Sequence, residues 1–84
     1  MTTSNASEPL AATETVDARG QRCPMPLLMA KRALNTLQSG ERLYVIATDE
    51  TAIRDFEVFS RQSGHPLLEA AAEDDEFHIL LEKR

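Results

Sequence analysis

The chain has very little that would cross-link, staple or anchor it. It holds a single cysteine, no tryptophan, one tyrosine, three phenylalanines, three glycines and two histidines in 84 residues. One cysteine excludes an internal disulfide framework and points to a reducing compartment. One cysteine and two distant histidines cannot assemble a four-ligand zinc site, and three glycines cannot build a glycine-rich phosphate loop, so no metal and no cofactor are expected. No apolar run approaches the roughly 20 residues needed to span a bilayer. Residues 1–14 hold no Lys or Arg and no apolar core, so they do not read as a secretory signal. The expected location is the cytoplasm, away from membranes.

Charge excludes another class. The net charge is −5, and direct nucleic-acid binding needs clustered Lys and Arg. The charge is uneven along the chain. Arg19, Arg22, Lys31 and Arg32 crowd around the cysteine, whereas Glu69, Glu73, Asp74, Asp75 and Glu76 crowd near the C-terminus. The first group reads either as a solvated patch or as a local positive field around Cys23.

Residues 1–14 lack sustained periodicity and are expected to be a disordered tail, with one folded domain over residues 15–84. Thr15–Ala18 predicts a first strand, and Gly20 serves the turn after it. A helix is predicted from Cys23-Pro24-Met25-Pro26 to about Gln38. Its apolar stripe is Leu27, Ala30, Leu34 and Leu37, its wet face carries Lys31, Arg32, Asn35 and Gln38, and Gly40 lies just past its end. Leu43–Thr48 predicts a strand inside the sheet. Asp49 is placed to cap a second helix with Ala52, Phe56 and Phe59 on one face, ended by Gly64 and Pro66. Leu67–Glu73 predicts a strand, despite three alanines that also suit a helix. Asp74-Asp75 predicts a hairpin turn, and the alternation from Phe77 to Glu82 predicts a last strand with His78 exposed. The order β-α-β-α-β-β predicts a two-layer α/β (α+β) sandwich, with a mixed four-stranded sheet and both helices on one face.

The informative segment is Arg22-Cys23-Pro24-Met25-Pro26. Proline is tolerated in the first turn of a helix and costs about 3 kcal/mol inside one, so the two prolines fix where the helix begins. Cys23 then lies at or beside the N-cap, where free N–H groups, the helix dipole and Arg22 are expected to lower its pKa. A free cysteine often serves as a small buried hydrophobe. Cys23 instead follows a polar turn and precedes two prolines, outside any apolar period.

The stretch Asp17-Ala18-Arg19-Gly20-Gln21-Arg22-Cys23-Pro24-Met25-Pro26 resembles the signature of the TusA/SirA sulfur-carrier family. Asp49, the Arg54-Asp55 pair and the Gly64-His65 pair are similar to that family too, and the resemblance extends over residues 15–84. It implies a sulfurtransferase that works with partner proteins. Cys23 would accept sulfane sulfur as a persulfide from a cysteine desulfurase or a related donor and hand it to an acceptor protein. The known branches end in tRNA 2-thiouridine, molybdenum-cofactor maturation or sulfur oxidation. Asp17, Gly20, Arg22, Pro24 and Pro26 would support the motif. Met25, Lys31 and Arg32 fall where a monomeric carrier would meet its partners. Met25 departs from the Glu frequent in the tRNA branch, and Ser60 lies in the region where some members have a second cysteine. Two other readings stand beside this one. One is a monothiol redox protein, which lacks here the Thr-Val-Pro and Gly-Gly segments of glutaredoxins. The other is a non-catalytic regulatory or interaction module in which Cys23 is structural.

Overall fold

The computed structural model describes residues 12–84. Six elements follow in the expected order: β1 (Ala12–Ala18), α1 (Met25–Leu34), β2 (Arg42–Ala47), α2 (Ala52–Ser63), β3 (Leu67–Glu73) and β4 (Glu76–Glu82). The strands form one sheet in the spatial order β1-β2-β4-β3. β1 runs parallel to β2, β2 antiparallel to β4, and β3 antiparallel to β4. The terminal hairpin therefore inserts β4 between β2 and β3. The central position expected for the second strand is explained by its two hydrogen-bonded neighbours.

Alternation decides which side of the sheet is covered. Val16, Ala18, Leu43, Val45, Ala47, Ile79 and Leu81 are buried and meet Ala30, Leu34 and Leu37 from the first helical region and Ala52, Phe56 and Phe59 from α2. Successive strand residues point to opposite faces, so Tyr44, Ile46, His78 and Leu80 line the face that no helix covers. His78, expected to be exposed, is half-buried there. Its ring stacks on Tyr44, its Nδ1 shares a hydrogen bond with the Tyr44 hydroxyl, and its Nε2 lies 3.3 Å from Glu76. The cross-strand neighbour covers a side chain that its own strand pattern leaves outside.

Several boundaries differ from expectation. β1 begins at Ala12 rather than Thr15, because the preceding residues pair with the start of β2, Ala12 opposite Arg42 and Glu14 opposite Leu43, across a bulge. Residues 1–11 of the expected tail lie outside the described residues. α1 stops at Leu34, four residues before Gln38. Beyond it the Thr36 and Leu37 N–H groups donate to the carbonyls three residues back, and the Thr36 hydroxyl also donates to the Ala33 carbonyl. That tightening breaks the helical ladder yet leaves Leu37 in the core. The helix cap is Asn35 in right-handed geometry. Gly40, with φ 90°, instead forms a turn that donates to the Lys83 carbonyl.

The second helix ends as its sequence demands. Gly64 takes φ 85° as a left-handed cap and donates to the Ser60 carbonyl. Asp74 and Asp75 take φ of 50° and 66° in the two-residue hairpin turn, a conformation that acidic and amide side chains tolerate better than most.

Phe56 is the largest fully buried side chain. Truncating an aromatic side chain in a packed core costs about 3–5 kcal/mol, and a domain of this length holds only about 5–10 kcal/mol in total. Phe56→Ala should therefore remove about half or more of the unfolding free energy, read as a large fall in the urea midpoint.

Candidate functional site

Cys23 is exposed, in the turn that joins the end of β1 to the start of α1. Gly20 opens that turn at φ 81° and donates its N–H to the Thr48 hydroxyl at 2.9 Å. The Gln21 N–H returns to the Ala18 carbonyl. Pro24 is the N-cap of α1, and the Cys23–Pro24 peptide is cis. Pro26 is buried beneath the first turn, while Met25 stays 38% exposed.

The loop is clamped by a carboxylate from another part of the chain. Asp49 follows β2 and accepts the Cys23 N–H at 2.5 Å through Oδ2. Its Oδ1 accepts the Thr51 N–H and the Thr51 hydroxyl, each at 2.8 Å. Asp49 was expected to cap the second helix, but Thr51 is the residue at that cap. Asp49 sits two residues earlier, where one carboxylate satisfies both loops. Asp55 Oδ2, 3.1 Å from the Thr51 hydroxyl, is an alternative acceptor for its single hydrogen.

These carboxylates overturn the expectation of a lowered thiol pKa. The Cys23 thiol is pushed up from its ordinary range, first by its hydrogen bond to Asp55, then by desolvation and by the negative charges of Asp55 and Asp49. A hydrogen bond from Thr51 pulls weakly the other way. The helix start offers few N–H groups to the sulfur. The prolines that fix it carry no N–H, and the Met25 N–H is consumed by the Arg22 carbonyl at 2.8 Å. Arg22 acts elsewhere, lowering the pKa of Asp49.

The basic residues do not converge on the sulfur as a group. Lys31 lines a groove of about 410 Å³ with Cys23, Leu27, Arg54, Asp55 and Phe59, and its ammonium stands 5.6 Å over the Phe59 ring. Arg32 faces the opposite flank of α1, in a hollow with Glu14 and Thr36. Arg22 lines a third hollow with Thr48, Asp49 and Glu50. Arg19 is held away by Asp17 at 2.9 Å and Glu76 at 3.3 Å. Asp17 thus braces the turn through Arg19. Leu28, three residues on from Met25 along α1, is 42% exposed, and Val58, which lines the Cys23 groove, is 36% exposed, whereas Met29 packs against the core.

Sequence reasoning singled out Cys23 and its prolines but assigned no site role to Asp49, Thr51 and Asp55. For Asp49 and Asp55 the only site signal was likeness to family positions, and Thr51 carried none; all three lie 26 to 32 residues from the cysteine by their numbering. Among the described residues no cluster of His, Cys, Asp and Glu is placed to hold a metal ion, and no helix is long and apolar enough to cross a membrane.

The two-layer sandwich presents one exposed thiol on a clamped strand–helix turn. The family model described as Sulfurtransferase TusA matches residues 14–83, and the chain belongs to that family. It is 44% identical over 70 residues to the sulfur carrier protein TusA of Allochromatium vinosum, across 83% of this chain and 92% of that protein. Its fold matches the crystal structure of a SirA-like protein from Desulfitobacterium hafniense with a TM-score of 0.74, at 25% identity, across 82% of this chain and 95% of the other.

Acid should loosen the clamp. Arg19, through its side-chain and backbone hydrogen bonds, holds the Asp17 carboxyl down to about 2. The Thr51 and Cys23 N–H groups and the Thr51 hydroxyl lower Asp49 as well. Both values lie below the ordinary unfolded value of about 3.9. Each group therefore adds stability that is complete above that value and is lost as pH falls through its folded value. Urea unfolding between about pH 5 and pH 2 should show this loss, and Asp49→Asn should flatten it.

Proposed function

We propose that this chain is a sulfur carrier in which Cys23 accepts sulfane sulfur as a persulfide from a cysteine desulfurase or related donor and passes it to an acceptor protein. The observation that carries this reading is the exposed lone thiol on its clamped Cys-Pro-Met-Pro turn, in a chain of the TusA family. The thiol attacks the terminal sulfur of the donor's persulfide. A new S–S bond forms on Cys23, the donor's S–S bond breaks, and the donor leaves as a thiolate that takes up a proton. The same exchange in reverse order hands the sulfur on. The protein is a sulfurtransferase only in company, as a cytoplasmic monomer in relays of the kind that end in tRNA thiolation or cofactor sulfuration, without itself touching nucleic acid or membrane.

A relay partner must come and go, and transient interfaces are small and steered by complementary charge. Met25 and Leu28 offer an adaptable apolar contact beside the sulfur, and Lys31 the nearest cation on α1. Loading should be readable as intact mass. After incubation with a cysteine desulfurase, its pyridoxal phosphate and cysteine, the wild-type chain should gain one sulfur and Cys23→Ser none. No gain on the wild type would overturn the carrier reading. Lys31→Glu plus Arg32→Glu should slow that gain by roughly fivefold at low salt. Most of the effect should come from Lys31, which shares the Cys23 groove, and it should shrink as salt screens exposed charge beyond about 8 Å. Loading at the wild-type rate would reduce this face to ordinary solvated surface.

A further inference from the structure

Lys31 is exposed and lines the Cys23 groove from α1, yet nothing acidic on its own helix can hold it. The residues three and four positions away are Leu27, Leu28, Leu34 and Asn35. Among the described residues Lys31 enters no ion pair. Its ammonium instead stands 5.6 Å over the Phe59 ring. That ring is itself fixed by its neighbours. Phe59 is 9% exposed and meets the buried Phe56 edge-on, with 6.5 Å between ring centroids. The His65 ring packs beside it at 5.7 Å. His65 is tied down in turn: its Nδ1 accepts the Arg84 N–H at 3.0 Å, and its carbonyl accepts the Ser60 hydroxyl at 2.6 Å. A continuous set of contacts therefore runs from the end of α2 and the end of β4 to a single cation at the groove.

We propose that Phe59 is a positioning residue: its ring, braced by His65, holds the Lys31 ammonium at the Cys23 groove, ready for a carboxylate on the docking partner. A carboxylate of this chain could hold the ammonium too, but it would neutralise it. An aromatic face attracts a cation through its quadrupole and leaves the charge available. A free lysine side chain loses much rotamer freedom when a contact fixes it. One already held loses less at the moment of docking, which favours binding. The groove lining favours an acidic occupant, since it carries Lys31 and Arg54 against Asp55 alone, around the apolar Leu27, Val58 and Phe59. The use of the held ammonium in docking rests on the carrier reading above, whereas the contact itself is a property of the free protein and is measurable without any sulfur donor.

Two measurements test it. In the NMR spectrum of the wild-type chain, the ring current of Phe59 should move the Lys31 ε-methylene protons upfield, and Phe59→Leu should return them to the position of a free lysine. Sulfur loading by a cysteine desulfurase is then followed by intact mass at low salt, over a range of desulfurase concentrations. Phe59→Leu should raise the half-saturating concentration by roughly threefold, the size of effect given by an exposed cation–π pair. The change should fall on that concentration rather than on the maximal rate. Phe59→Tyr, which keeps the ring, should restore it. Lys31→Met should give the same rise, and Phe59→Leu added to it should make it no worse. A ring that merely fills the core would act equally with or without the lysine. An unshifted Lys31 resonance in the wild type would overturn the proposal, and so would an effect of Phe59→Leu that persists in full beside Lys31→Met. Should Phe59→Leu fail to fold by circular dichroism, Phe59→Met takes its place in both measurements, with the same outcomes deciding. Failure of the carrier reading would look different: no sulfur gain on the wild type, with the Lys31 resonance still shifted.

Discussion

The site depends on one side chain meeting two loops. Asp49 joins the turn that bears Cys23 to the start of α2, by hydrogen bonds to the Cys23 N–H and to Thr51. Each loop alone would leave backbone donors to solvent and the turn free to move. With both docked on one carboxylate, the cysteine occupies a fixed place although its own side chain is exposed. The parallel pairing of β1 with β2 makes this possible. Parallel neighbours end at the same edge of the sheet, so the loops that follow them emerge side by side.

Both helices lie on one face, and the buried set is aliphatic apart from Phe56 and Phe59. The groove beside Cys23 is floored by Leu27 and Phe59, which belong to or pack against that core. The apolar contact next to the sulfur is thus continuous with the packing that holds α1 against α2. On the proposed reading, a partner docked there would extend an existing apolar surface, with the sulfur at the rim. This is consistent with the proposed carrier role, in which more than one protein would reach the thiol from outside.

The electrostatics of the site run against the local sequence. Four basic residues lie within ten positions of the cysteine, yet the groups that act on the thiol are acidic. Arg19 is spent on Asp17 and Glu76, Arg22 on Asp49, and Lys31 leans on an aromatic ring. Of the four, only Lys31 lines the Cys23 groove, so positive charge near in sequence was a partial guide to positive charge near in space. The same holds for the helix start. Proline at its first positions announced the helix, and the same two prolines removed two N–H groups from its start.

Several features were legible in the sequence alone. The order of six elements follows from local periodicity and punctuation: the prolines at 24 and 26, Gly64 with Pro66, and the Asp74-Asp75 turn. These are short-range effects of backbone freedom and of one-sided apolar patterns, and each is complete within a few residues. The single cysteine in its polar turn was equally plain. Only the tertiary structure decided what surrounds it. The insertion of β4 between β2 and β3, the half-burial of His78 against Tyr44, and the convergence of Asp49, Thr51 and Asp55 on Cys23 all join residues far apart in the chain. Local patterns carry no information about such partners. The pKa of a thiol is set by the charges and hydrogen bonds within a few ångströms of it, and those ångströms are fixed by the sheet, not by position along the chain.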